Sequence, residues 1–229
     1  MTSEPLSRKR IVAAAIELIE REGADAVSMR RIAAELGVGV MSLYNHVPNK
    51  DALLSGVAES VLSEIEFTDD PAAHWTDRVR IQARAFRQIA HHYPRSTMLV
   101  VSRQLHSNAG LLPVERALAT LRSAGFDGPE AVKMLRMFIA FIVGTLLREV
   151  GVTPSFAPMP ATLRADQVDP ELFPTVAELA PMLDRCDPDE EFDFGVELLV
   201  QAISVHRERA PGEPDALPGS AAPSPERLG

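Results

Sequence analysis

Two short segments with helical apolar spacing, residues 29–36 and 40–46, are joined in this chain only by Gly37-Val38-Gly39. A connection that short makes two helices turn sharply and pack on each other. Ser28 is placed to cap the first, and Ile32, Ala33 and Leu36 form its inner side. Gly37 suits the left-handed turn that ends it. Ala33 and Leu43 let the two helices approach closely. Pro48 disfavours helical geometry at Val47 and so stops the second helix. This is the pattern of a helix-turn-helix, whose second helix enters the major groove of DNA. Any tight helical hairpin needs similar residues, so the pattern alone is only moderately specific.

The same spacing runs through the rest of the chain. Ile11, Ala14, Ala15, Leu18 and Ile19 line one face of a first helix, with Ser7 as its cap and Gly23 as its stop. Asn49 caps a further helix carrying Leu54, Val57, Val61 and Ile65. Pro71 marks a break, after which helices are predicted at 75–92, 111–124, 129–150, 169–183 and 190–207. Gly125 is a stop, and Pro129 stands where a first-turn proline is tolerated. Pro154, Pro158 and Pro160 make 151–162 a loop. From Pro211 five prolines fall in nineteen residues, a composition that buries too little to order itself. No stretch alternates with strand period. The expected fold is all-α: a helix-turn-helix head over 7–66, a helical body over 71–207 and a disordered tail over 208–229.

The net charge of −9 looks wrong for a protein that meets DNA, but its distribution is uneven. Residues 1–50 carry seven Lys and Arg against six acids, leaving −10 on the remainder. A head of that balance can dock on phosphates if its cations share one face. The polar start and the longest apolar run, 134–147 with Arg136 inside it, suit neither a signal peptide nor a bilayer span. A cytoplasmic protein is expected. The lone Cys186 excludes an intramolecular disulfide and a cysteine metal cluster.

Beyond the hairpin, the run Leu43-Tyr44-Asn45-His46-Val47-Pro48-Asn49-Lys50-Asp51-Ala52-Leu53-Leu54 resembles the signature of the tetracycline-repressor (TetR) family. So does the stretch from Arg10 to Ile65, which includes Val27-Ser28-Met29-Arg30-Arg31-Ile32-Ala33 without a gap. The body is similar to the tetracycline-repressor subclass through Gly125-Phe126 and the late run from Phe192 to Leu199. The resemblance implies a DNA-contacting set of Met29, Arg30, Val40, Met41, Ser42, Tyr44, Asn45, His46 and Lys50. Arg30 matches a residue reaching a base edge or a phosphate. Val40 and Met41 would meet thymine methyls, which departs from the more polar tip of the tetracycline repressor itself. Tyr44, His46 and Lys50 match backbone contacts, which position a head without specifying sequence. Each has a plainer reading: Tyr44 wedging the hairpin, His46 capping its helix, Lys50 and Arg31 solvated.

Two functions are expected of the body. The apolar helix after Pro129 needs cover on both faces. With Phe194, Leu198, Leu199 and Ala202 of the last helix, its Ile142 is expected at a homodimer interface. A small-molecule effector pocket is expected among Phe86, Met98, Leu105, Met134, Phe138 and Phe141. His91, His92, His106 and Glu149 are of metal-ligating types, and the tetracycline repressor binds a magnesium–drug complex, but its ligands do not carry over residue by residue; surface or hydrogen-bonded histidines are the better reading, and no obligatory metal or cofactor is expected. The resulting expectation is a non-enzymatic repressor released from palindromic double-stranded operator DNA by an effector, with no membrane partner. An activator or an effector-independent regulator of the same fold, and less so a helical enzyme, remain as alternatives, although no nucleophile elbow, phosphate loop or metal-ligand spacing supports the enzyme.

Overall fold

The computed structural model describes residues 5–102, 108–149, 168–183 and 187–209. The predicted loop at 151–162, Leu105, His106, Cys186 and the tail from residue 210 lie outside them. Among the described residues ten α-helices follow one another: α1 Arg8–Glu22, α2 Met29–Leu36, α3 Val40–Tyr44, α4 Lys50–Ser63, α5 Trp75–His92, α6 Pro94–Ser102, α7 Asn108–Ser123, α8 Gly128–Glu149, α9 Pro174–Leu183 and α10 Pro188–Arg209. No strand occurs among the described residues.

Local chemistry sets the helix starts in the head. Ser7 Oγ accepts from Arg10 N at 3.2 Å, Ser28 Oγ from Arg31 N at 3.1 Å, and Asn49 Oδ1 from Ala52 N at 2.8 Å. Each satisfies one of the N–H groups that a first turn leaves open. Gly37 sits at φ 66° and ψ 31° and donates back to the carbonyls of α2, in the left-handed region where a Cβ is costly. With the hairpin closed, Ile11, Leu18, Ile19, Ile32, Leu43 and Leu53 are wholly buried together. The head core does not stop at the head. Ile89 of α5 and Leu99 of α6 are part of the same buried cluster.

α4 packs against α1 on one side and against α6 and α7 on the other. Its contact with α1 is close. A Cβ at Gly56 would stand 3.1 Å from Val12 and from the Arg8 guanidinium. A second core, centred on Trp75, Leu121, Phe126, Phe138 and Phe192, joins α5, α7, α8 and α10. Trp75 meets Phe126 edge to face at 5.8 Å, a favoured aromatic geometry.

Two differences from the sequence expectation have physical reasons. α6 is an additional helix in the stretch between the predicted helices 75–92 and 111–124, and Pro94 does not prevent it. That proline stands at the first helical position, where its missing N–H is not needed. Its neighbours Arg95 and Ser96 donate their backbone N–H groups to the Glu20 carboxylate of α1, at 3.1 and 2.7 Å. A carboxylate at a helix N-terminus is favoured by the helix dipole, but this one comes from 75 residues away. The link between head and body is likewise no loose break. Asp69, two residues before Pro71, is buried and receives Arg78 Nε at 3.0 Å, Gln82 Nε2 at 3.0 Å and Arg116 Nη1 at 3.4 Å. Burial pushes its carboxyl up. The hydrogen bonds from Arg78 and Gln82 and the charges of Arg78 and Arg116 outweigh that and hold it below the usual carboxylate range.

A carboxyl with a lowered native pKa contributes stability that is complete above its unfolded value of about 4 and is lost as the pH falls through the native value. Asp69→Asn is therefore expected to lower the urea midpoint at neutral pH, with the gap to wild type narrowing as the pH drops below about 4. A gap independent of pH would show that ionic pairing is not what Asp69 supplies. The second core offers a separate test. α8 and α10 approach so closely at Gly195 that a Cβ there would run into the Phe141 ring. Gly195→Ala is expected to destabilise the protein by about 1–3 kcal/mol through overpacking. An unchanged denaturation midpoint would show that the ring has room to move.

Candidate DNA interface and effector cavity

α3 is only five residues long, and it presents side chains because two anchors hold it. Leu43 is 0% exposed and Val47 1%, so the residues between and before them point outward. Met41 is 76% exposed and Tyr44 43%. Ser42, Asn45, His46 and Lys50 are also exposed, and Val40 is half-buried against the head core.

Charges sort into two groups. Arg31 is paired with Glu22 at 2.6 Å and lies 3.9 Å from Glu35, while Arg21 reaches Glu35 at 2.6 Å. These pairs tie α1 to α2 and commit their cations. By contrast, Arg30, Tyr44, His46 and Lys50 make no ion pair or side-chain hydrogen bond among the described residues. Arg30 is exposed at the second position of α2, and Lys50 opens α4, where N-terminal backbone amides also favour a phosphate. Uncommitted cations with free reach are what a phosphate contact requires. Met29 corrects the expectation. It is 7% exposed and belongs to the head core, because the first turn of α2 faces it inward beside Ile32 and Ala33. It has little surface to offer DNA.

Inside the body, α4, α5, α6, α7 and α8 line a partly open cavity of about 360 Å³. Leu62 of α4 and Phe67 form one part of the wall, and Phe86, Val100 and Val101 another. Val114, Leu121, Leu135, Phe138 and Val143 form much of the rest. That volume lies within the range of small-molecule sites. Among its nineteen lining residues Gln82 carries the polar side chain. Its amide is held by Asp69 and, at 2.9 Å, by the hydroxyl of Thr120. The sequence reading missed Gln82, Asp69 and Thr120. Nothing in their local sequence sets them apart from surface residues, since their partners lie 13 and 38 residues away.

Of the expected pocket residues, Phe86 and Phe138 line the cavity. Met134 is buried in the body core, and Phe141 packs there against Phe192 at 6.0 Å. Met98 is half-buried on α6 and not part of the lining. Leu105 is outside the described residues. Ile142, expected between subunits, lines the cavity instead, since α8 turns that side of its apolar surface inward. Leu199 is partly buried against the body core. Phe194 and Leu198 are 65% and 50% exposed, and Ala202 is exposed beside them. With Val205 they form one stripe of α10, and α8 adds exposed Met137, Ala140 and Gly144.

The described residues hold no cluster of three or more His, Cys, Asp or Glu placed for a metal ion, and no described helix is long and apolar enough to cross a membrane. Glu149 is instead engaged by Arg87 at 2.9 Å and His91 at 2.7 Å.

Known proteins share this arrangement over most of its length. A structure of apo ActR from Streptomyces coelicolor superimposes with a TM-score of 0.77 at 28% identity, covering 91% of this chain and all of that one. ActR in complex with actinorhodin gives a TM-score of 0.76 at 29% identity, over 89% and 99% of the two chains. Among sequences, the HTH-type transcriptional repressor DrrR1 of Streptomyces coeruleorubidus is 28% identical over 212 residues, 87% of this chain and 78% of that protein. The class A tetracycline repressor protein from transposon 1721 of Escherichia coli is 28% identical over 207 residues, 88% of this chain and 92% of its own. Residues 11–57 match the family description "Bacterial regulatory proteins, tetR family", and residues 67–206 match "Tetracyclin repressor-like, C-terminal domain". The hairpin, the exposed tip of α3 and the body cavity are thus those of a DNA-binding transcriptional regulator, and the chain belongs to the tetR family of bacterial regulatory proteins.

Proposed function

We propose that this chain is a cytoplasmic homodimeric repressor that leaves a palindromic operator when a small molecule occupies the body cavity. The observation that carries the proposal is that the cavity wall is built in part by helices anchored in the head. Leu62, on the cavity, belongs to α4, whose opposite side packs on α1. Val100 and Val101, also on the cavity, belong to α6, whose first turn is held by Glu20 of α1. A molecule that displaces either wall moves the helix-turn-helix with it. A coupling of about 1–3 kcal/mol between two such sites changes affinity roughly 5- to 150-fold. The complex of ActR with actinorhodin supports a small-molecule ligand for a body of this architecture.

In this reading residues 7–66 form the DNA-reading unit. Arg30, Met41 and Ser42 meet bases or nearby phosphates, and Val40 supports them from below. Tyr44, Asn45, His46 and Lys50 grip the backbone. Residues 71–207 sense the ligand and pair the subunits. The stripe of Phe194, Leu198, Ala202 and Val205, with Met137 on α8, is an exposed apolar surface of the sort that marks a protein interface. Pairing two copies through it gives a four-helix interface and two heads for the two half-sites of one operator.

Selection of bound fragments from random DNA across a salt series tests this. Enrichment of a palindrome with half-sites about one helical turn apart is expected. Lys50→Ala should weaken binding evenly across sequences and reduce the salt slope by about 1. Tyr44→Ala should weaken it also, and Leu198→Glu should yield monomers that no longer retain the palindrome. No enriched sequence at low salt would remove the operator-binding reading. Enrichment of a single half-site by a monomer would remove the dimer.

A further inference from the structure

We infer that Met41 is an oxidative modification site: hydrogen peroxide converts its thioether to the sulfoxide, and the oxidised chain loses its hold on operator DNA. This rests on the reading of α3 as the base-facing helix and adds a chemical signal that bypasses the body cavity.

Met41 is 76% exposed, more than any other large apolar side chain among the described residues. It has nowhere to retreat. Leu43 and Val47 are buried and pin the inner side of α3, and Val40, the residue before Met41, is packed on the head core. A helix of five residues held in that way keeps its second side chain in water. The remaining described methionines are placed differently. Met29, also in the head, is buried, as is Met134, and Met98 is half-buried. Met137 and Met182 are exposed, but they stand on α8 and α9 of the body. Thioether oxidation follows access to the sulfur. Within the described part of the head it therefore converges on one side chain, and that side chain stands on the surface read as facing the major groove.

The step is an oxygen transfer. A sulfur lone pair attacks one peroxide oxygen, and the S–O bond forms as the O–O bond breaks. The departing hydroxide takes the proton carried by the transferred oxygen and leaves as water. Sulfur gives up two electrons and the peroxide accepts them. The product is a polar, chiral group that brings a strong acceptor and no donor. Guanine, adenine and thymine present acceptors in the major groove at N7, O6 and O4. An acceptor stripped of water and left unpaired against them costs more than the apolar contact it replaces. Bound DNA covers the sulfur, so the oxidant acts on the free chain. It then keeps that chain off the operator until a methionine sulfoxide reductase restores the thioether.

The test uses the palindrome enriched by untreated protein, in a Cys186→Ala background that removes the thiol from the chemistry. The chain is treated with hydrogen peroxide until peptide mass spectrometry shows an added oxygen at Met41, and operator affinity is measured before and after. Oxidation is expected to weaken binding by at least about tenfold, the scale of a lost base contact, with the dimer intact in sedimentation. Sulfoxide reductases A and B together should restore the affinity. Prebound operator should slow oxidation of Met41 but not of Met182. Met41→Leu is read only as its own affinity after treatment relative to before, and that ratio should stay near one. Unchanged affinity of protein oxidised at Met41, a loss that persists in Met41→Leu or accompanies dissociation of the dimer, or oxidation of Met41 no faster than of Met134 would overturn the inference and leave the DNA-reading head standing. Absence of operator binding by the untreated protein would remove both. The cycle of oxidation and repair decides the matter even if Met41→Leu does not fold, because it leaves residue 41 unaltered.

Discussion

α4 is buried on two sides at once, and the arrangement of the rest of the molecule follows from that. Leu53, Leu54, Val57, Ala58, Val61 and Leu62 are all withdrawn from water, each leucine and valine contributing on the order of 1.5–3 kcal/mol when fully buried. Some of that burial is against the head and some against the body. Gly56 narrows the space between α4 and α1 until Val12 and Arg8 would touch any added carbon. A helix packed this tightly on one side and forming cavity wall on the other cannot shift in one place alone, because packed interiors switch between arrangements more readily than they stretch.

Polar contacts over long sequence distance add direction to this apolar coupling. Glu20 holds the start of α6, and the Tyr93 hydroxyl donates to Glu64 at the end of α4, at 2.8 Å. The hydrogen bond to Glu64, then burial, raise the Tyr93 hydroxyl above its ordinary pKa, so it stays a donor throughout the physiological range. α6 is consequently fixed at its N-terminal end by groups from the head side, while Val100 and Val101 near its other end face the cavity. Force applied at the cavity end reaches α1 through a helix of nine residues. The apolar packing of α4 and the capped end of α6 are two separate routes to the same head.

What was legible in the sequence was what depends on neighbours along the chain. Ser7, Ser28 and Asn49 cap the turns that immediately follow them, Gly37 takes the left-handed turn between α2 and α3, and Leu43 is buried as its spacing requires. Those features outline the head nearly residue by residue, and the TetR-like run rests on them. The misplacements arise where phase or distance decides. Met29 begins a helix of eight residues, too short for spacing alone to settle which face its first turn presents. α8 is apolar almost all round, so its sequence does not tell cavity from core or from open surface. Phe138 and Ile142 line the cavity, Met134 packs in the core, and Met137 is exposed. Glu20, Asp69 and Gln82 are ordinary surface residues by any local criterion. Only the folded chain brings them to a helix end, a buried guanidinium and a cavity wall.

That last group also explains why the polar part of the cavity is so economical. A single amide lines it, yet five residues on three segments hold that amide in place: Asp69, Arg78, Arg116, Thr120 and Ser123. Asp69 stands in the connection from head to body, Arg78 on α5, and the others on α7. The network that orients the amide therefore also fixes the connection by which the head is attached. The polar part of the cavity wall and the connection to the head share the same buried carboxylate. The hydrogen bonds of Gln82 end at Asp69 and Thr120, so the one polar side chain among the described residues of the cavity wall is tied to the carboxylate that fixes the connection to the head, a second physical link beside the packing of α4 and α6.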